Sequence, residues 1–319
     1  MIRIVSLADP RPQWVSLALL SLLLAAACSG AKREEPPAAN RAPTVSPAAR
    51  VIPAGGPGVS TEAPVVPRAV SYEEAESLFK TGKYSEARDG FQRYVEAKPE
   101  NPWGHYMLGL SAWKTGDLAG ALGAFDAAIA RDPAHLKSQL NSARVLLDLG
   151  RAQEALERVT AAQSRDSTSE SLRLLARVHD ELGDPEAAIK TFREALIRNE
   201  RDAWAMNNLG MLYIRQRDFP AALPPLARAV QLRPGAPVFQ NNLGIALELN
   251  GHPLQARQAY AEAIRVDSTY AKAIANAKRL GEAVNDSSAT AAVSLRDLAE
   301  QFRQSIRLWK DSVVVPPDR

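Results

Sequence analysis

Four histidines and one cysteine are the side chains of this sequence best suited to metal binding or nucleophilic attack. None stands in a pattern that performs either. His105, His135, His179 and His252 are far apart, and no H-E-x-x-H run sets two imidazoles on one helical face with a carboxylate between them. There is no Walker A loop for phosphates, no G-x-G-x-x-G at a strand-to-helix junction and no G-x-S-x-G elbow. The sequence therefore implies no metal, no cofactor and no catalytic group. Its 39 basic and 36 acidic residues leave a net charge of +3, which argues against a nucleic-acid partner and against a strongly charged membrane patch. No feature points to a small-molecule substrate. What remains is hydrogen-bonding chemistry. Asn141, Asn208, Asn242 and Asn276 each carry an amide able to donate to and accept from a peptide backbone. The last three are spaced by one constant interval of 34 residues.

That interval runs through the whole middle of the chain. Phe91, Phe125, Val159, Phe192, Leu226 and Tyr260 follow one another at 34, 34, 33, 34 and 34 residues. Small residues keep the same register, with Ala87, Ala121, Ala155, Ala188, Ala222 and Ala256 early in each second helix. Ala75, Gly109, Ala143, Ala176, Gly210 and Gly244 hold the matching place in the first helices. Gly82, Gly116, Gly150, Gly183 and Gly251 mark the turn between helices, and Arg217 replaces glycine once. Pro99, Pro133 and Pro234 close units. A unit of this length holds two short helices but cannot bury its own apolar face, so the units must stack. The missing residue between Val159 and Phe192 predicts an altered joint between the third and fourth units. Pro224 and Pro225 predict a helix that starts late or bends.

These residues resemble the tetratricopeptide repeat family, whose pattern is large, Leu-Gly, Tyr, Ala, Phe, Ala, Pro at fixed offsets. The fifth unit follows it through Trp204, Leu209-Gly210, Tyr213, Ala222, Ala229 and Pro234, departing at Leu226; the second follows it through Leu108-Gly109, Ala121, Phe125, Ala128 and Pro133. The resemblance covers about two thirds of the chain. It implies an all-α, right-handed solenoid of six helix-turn-helix units beginning near residues 68, 102, 136, 169, 203 and 237, with an extra helix at 271–284. After a polar break, 291–312 reads as an amphipathic helix in which Leu295, Leu298, Phe302, Ile306 and Trp309 recur at helical spacing. Capping of the array is its simplest role; return into the groove and contact with a second chain are the alternatives.

The amino terminus is read separately. Residues 1–27 contain Arg3 and Arg11 and then an uncharged apolar run from Trp14 to Ala27. That length suits an export signal better than a mature membrane span. Leu24-Ala25-Ala26-Ala27-Cys28 resembles the lipobox of bacterial lipoproteins, which implies lipid attachment at Cys28, and Ser29 in place of Asp implies the outer membrane, facing the periplasm. A lone cysteine in an oxidising compartment also fits that role, since it has no disulfide partner. Residues 28–70 hold eight prolines and no aromatic side chain. Such a segment reads as a disordered tether, spanning roughly 35 Å if flexible and at most about 130 Å if polyproline-like.

In the repeat family, particular first-helix places face the concave side. The resemblance puts Asn141, Asn208, Asn242 and Asn276 there, with Asn207 and Asn241 beside them by repeat inheritance. Tyr106, Trp113, Trp103 and Trp204 occupy neighbouring places, where aromatic groups can anchor a partner or pack between repeats. Arg173, Arg177, Asp180 and Glu181 form a mixed-charge stretch that reads as a solvated face, with selection of partners as the alternative. The expected function is a noncatalytic adaptor, tethered to the envelope, that binds extended peptides or partner proteins in the groove. The alternative is a recruiting or regulatory subunit for a cell-wall or glycosyl-transfer enzyme acting in trans. Repeat-bearing glycosyltransferases resemble it, but their catalytic domain follows the array, where only about 35 residues follow here.

Overall fold

The computed structural model describes residues 71–283 and 292–313, and every regular element among them is an α-helix. Six hairpins follow one another. They are α1 (Tyr72–Lys80) with α2 (Tyr84–Ala97), α3 (Pro102–Lys114) with α4 (Leu118–Arg131), and α5 (Leu136–Asp148) with α6 (Ala152–Gln163). Then come α7 (Ser169–Glu181) with α8 (Pro185–Arg198), α9 (Ala203–Arg215) with α10 (Phe219–Leu232), and α11 (Pro237–Leu249) with α12 (Pro253–Val266). The chain continues into an unpaired first helix, α13 (Ala271–Ala283), and a longer helix, α14 (Leu295–Val313). The expected signal, Cys28 and the tether lie outside the described residues, as does the polar break. No helix among the described residues is long and apolar enough to cross a membrane.

The hairpins turn alike because a residue in the left-handed conformation, glycine in five of the six, follows each first helix. Gly82, Gly116, Gly150, Gly183 and Gly251 have φ between 72° and 83°. The next residue then donates its N–H back over the last turn, as Asp117 does to the Ala112 carbonyl at 2.9 Å and Asp184 to that of His179 at 2.9 Å. Asp117, Asp184 and Asp218 also cap the second helices, their carboxylates accepting from the N–H groups of Gly120, Ala187 and Ala221. Arg217 adopts φ 62° where the other units have glycine. A side chain there costs about 1 kcal/mol. Arg217→Gly is therefore expected to raise the melting temperature by roughly 2–4 °C in thermal circular dichroism. A variant that melts no higher than the parent would show that the arginine side chain offsets its own backbone strain.

Within a unit, one large side chain of the second helix lies on a small residue of the first. The six large positions from Phe91 to Tyr260 are at most 1% exposed. A Cβ at Gly109 would stand 2.6 Å from the Phe125 ring, one at Gly210 2.5 Å from Leu226, and one at Gly244 2.5 Å from Tyr260. Only glycine permits these approaches, so the glycines are packing residues. Alanine holds the place in the third and fourth units, where Ala143 shares a cluster with Val159 and Ala176 with Phe192.

The short interval between the third and fourth units appears as a short helix. α6 has 12 residues where the other second helices have 14. It ends at Gln163 with Ser164 as its cap, and Thr168 caps α7. The late start expected of α10 is not found. It begins at Phe219, behind the Asp218 cap, in register with the other second helices. The carbonyls that Pro224 and Pro225 leave without helical donors belong to Pro220 and Ala221, in a first turn that water reaches.

α14 covers an apolar face, but that face is not the open end of the array. It lies across the second helices, against α10 and α8. Ile306 is fully buried, Ala299 and Phe302 nearly so. Phe302 and Ile306 join the cluster containing Phe192, Leu196 and Ala229, and Ala299 joins that of Leu223, Ala227 and Tyr260. Its ends are pinned by polar contacts. The Gln255 amide exchanges two hydrogen bonds of 2.8 Å with the backbone of Val293, and Lys310 pairs with Glu200 at 3.2 Å. The Arg193 guanidinium lies 5.0 Å from the centre of the Trp309 ring. Among the described residues α14 packs on no first helix.

Candidate binding groove

The first helices α5, α7, α9 and α11, with Tyr270 and the start of α13, line a recess of about 520 Å³. Arg144 forms part of its wall and also part of a second recess of about 310 Å³ bordered by Tyr106, Lys137, Asn141 and Glu170. The two therefore share a wall and run along the first helices, which is where the repeat pattern places candidate ligand contacts.

The asparagines are not independent. Asn276 Nδ2 donates to Asn241 Oδ1 at 2.9 Å, Asn241 Nδ2 to Asn242 Oδ1 at 3.3 Å, Asn242 Nδ2 to Asn207 Oδ1 at 2.9 Å, and Asn207 Nδ2 to Asn208 Oδ1 at 3.3 Å. Five amides thus form one directional string joining α13, α11 and α9. Asn207 and Asn241, taken from the sequence as inherited surface neighbours, are its buried links at 4% and 2% exposure. Asn208 ends the string half-buried, with an Nδ2 that makes no hydrogen bond among the described residues. Asn141 is separate. It donates to the Tyr106 hydroxyl at 3.4 Å and accepts from Arg144 at 2.5 Å. Asn242 is consequently a poor place to test binding, because alanine there would strand two buried amide groups at about 1–3 kcal/mol. Asn208 is the better one.

The aromatic candidates divide the same way. Trp103 is 45% exposed and stands edge-on to His135, with ring centres 4.5 Å apart, beneath the ammonium of Lys137. Trp204, 41% exposed, packs edge-on against Phe239 of the next unit and borders the larger recess. Each therefore packs between repeats and still offers a free face. Tyr106 borders the smaller recess, and burial raises its hydroxyl pKa. Trp113 bridges units at the rim, its indole N–H donating to Asp148 at 3.1 Å.

The groove carries more positive charge than the sequence reading allowed. Arg173 and Arg177, read as part of a solvated face, line the large recess with Arg144, Arg215 and Lys272. Three of the arginines are matched by acids: Arg144 by Glu170 at 2.5 Å, Arg173 by the buried Asp202 at 2.6 Å, and Arg215 by Asp180. Arg177 and Lys272 have no such partner among the described residues. Burial pushes the Arg177 guanidinium below its ordinary pKa, and the charge of Asp148 pulls the other way. It remains cationic at neutral pH. Lys272, Arg215 and Met211 were missed; the signal was present in the register, since Arg173 and Arg177 sit on one face of the first helix one turn apart. Among the described residues no group of three His, Cys, Asp or Glu side chains could hold a metal ion.

Comparison with known proteins agrees with this architecture. Residues 106–170 and 173–237 match a family model described as tetratricopeptide repeat. A TPR repeat-containing protein of Pseudomonas aeruginosa is 30% identical over 130 residues, 40% of this chain and 51% of that protein. Cellulose synthase operon protein C of Xanthomonas axonopodis is 28% identical over 167 residues, 50% of this chain and 11% of that protein. The chain spans between about a tenth and a half of the length of the curated relatives it matches. Among solved structures, PilF of Pseudomonas aeruginosa superposes with a TM-score of 0.51 at 15% identity, over 65% of this chain and 95% of that one. At that identity the likeness concerns the fold alone. With the 34-residue register and the glycine-ended hairpins, the family match identifies tetratricopeptide repeats over residues 106–170 and 173–237, within an all-α solenoid of a kind that serves protein–protein interaction.

Proposed function

We propose that this protein is a noncatalytic adaptor of the bacterial envelope, held by lipid on Cys28 and presenting the groove of its first helices to extended segments of partner proteins. The observation that carries the reading is the groove itself. It runs along successive first helices and combines the free amide of Asn208, the exposed face of Trp204, and the unpaired Arg177 and Lys272, while α14 contacts the second helices α8 and α10. A surface of that composition offers hydrogen bonds, apolar area and charge to a chain laid along it.

Photo-crosslinking from Trp103 or Trp204 positions in intact envelopes, followed by affinity capture, tests the groove; adducts that form equally from the outer face of α4 would discard it. Anchoring is tested by fractionation. Cys28→Ser is expected to move the protein from the membrane to the soluble fraction, and a variant that still sediments with membranes would remove the lipid anchor from the proposal. A second reading, recruitment of an envelope enzyme in trans, draws support from the partial match to a cellulose synthase operon protein. Under it the captured partner is itself an enzyme.

A further inference from the structure

We propose that the recess between α5 and α13 selects an acidic, extended peptide segment, whose carboxylates meet Arg177 and Lys272 and whose backbone meets the amide of Asn208. This deepens the adaptor reading and rests on it, naming the chemistry of the segment that the groove takes.

The first support is the composition of the wall. Four arginines and Lys272 line it, and none of the lining residues is a carboxylate. The second is the state of those cations. Glu170, Asp202 and Asp180 already answer Arg144, Arg173 and Arg215 from the rim, so these pairs contribute little net charge. Arg177 and Lys272 have no acid within 4.0 Å among the described residues. A guanidinium partly withdrawn from water without an acid in ion-pair contact is unfavourable, and an incoming carboxylate relieves that cost whereas a basic segment deepens it. Third, the remaining wall is not phosphate-like in its chemistry. Trp204, Met211, Leu174 and Val238 give an apolar strip beside the cations. Such a strip takes an apolar side chain flanked by acids, and the Asn208 Nδ2 is placed to donate to a backbone carbonyl.

The test uses the full-length protein in detergent, immobilised and panned against a phage library of random 16-residue peptides at low salt. Recovered sequences are expected to be rich in Asp and Glu around an apolar residue. A synthetic peptide of the recovered sequence should bind roughly tenfold more weakly when Arg177→Gln and Lys272→Gln are combined, and more weakly in high salt. The double variant should melt no lower than the parent, since neither side chain makes an ion pair among the described residues. Neutral or basic sequences whose binding is abolished by Trp204→Ala or Asn208→Ala would overturn the acidic preference and leave the groove reading standing. Acid-rich sequences indifferent to the double glutamine variant would also overturn it. Should no recovered sequence respond to any groove substitution, both the preference and the groove reading fall.

Discussion

Removing everything after Ser288 is expected to lower the melting temperature by about 10 °C and to make the protein aggregate on concentration. The reason lies in what α14 buries. Phe302 and Ile306 are 5% and 0% exposed, and Leu298 and Trp309 are partly covered against the same surface. Burying the first two fully is worth about 3–6 kcal/mol, which for an array of this length corresponds to a shift of that size. The face left behind is apolar and contiguous, formed by Leu223, Ala227, Leu196 and their neighbours, and exposed patches of that kind drive association. Thermal circular dichroism and light scattering of the truncated chain check both effects. A truncated protein that melts within a degree or two of the parent and stays monodisperse would show that α14 rests on the array without supporting it. The point variant Ile306→Ala separates packing from chain removal and should cost about 2–5 kcal/mol by itself.

Asp202→Ala is expected to cost about 3–4 kcal/mol. Asp202 is 8% exposed and does three things at the joint between the fourth and fifth units. Its Oδ1 accepts the N–H of Ala205 at 3.0 Å, capping α9. Its Oδ2 accepts the Ser169 hydroxyl at 2.8 Å. Both oxygens accept from Arg173 Nη1, at 2.8 and 2.6 Å. Alanine removes the cap, worth about 1 kcal/mol, and leaves a half-buried guanidinium without its acid, worth more. Asp202→Asn keeps the cap and the shape while removing the charge, so the step from parent to asparagine reads the lost ion pair and the step from asparagine to alanine reads the cap together with the Ser169 contact. Chemical denaturation of parent, Asp202→Ala and Asp202→Asn reads out the series. If both variants unfold with the parent, Asp202 does not join the two units. The same experiment bears on binding, because an unpaired Arg173 would add a third free cation to the recess.

The repeat architecture was legible because each of its constraints is local. A glycine in the left-handed turn and an alanine or glycine beneath a large side chain recur at one interval. Where the chain departed from the pattern, at Arg217, the backbone still adopts the glycine conformation. The groove was only partly legible. Arg173 and Asp202, or Arg215 and Asp180, come from different units about 30 residues apart, so whether a cation is answered or free depends on how units stack, which a single unit does not record. The amide string has the same origin. Asn207 and Asn241 look redundant beside Asn208 and Asn242 until the register between neighbouring first helices shows that each reaches its counterpart in the next unit. The place of α14 was hidden because an apolar stripe fits any apolar face. A clue lay in α10, where Leu223, Pro225, Leu226 and Ala227 make much of the circumference apolar, as suits a helix covered on more than one side.

α14 also changes the mechanics of the solenoid. In a simple repeat array each unit touches only its neighbours, so the superhelix behaves as a spring whose pitch is set joint by joint. A single rigid rod laid across α8 and α10 and fastened to α12 through Gln255 clamps three consecutive units at once, and their joints can no longer bend independently. The first three units keep the compliance of an ordinary spring. The stiffened half is the half that holds most of the cationic recess, so its curvature is fixed before any ligand arrives, and less conformational freedom is left to be lost on binding.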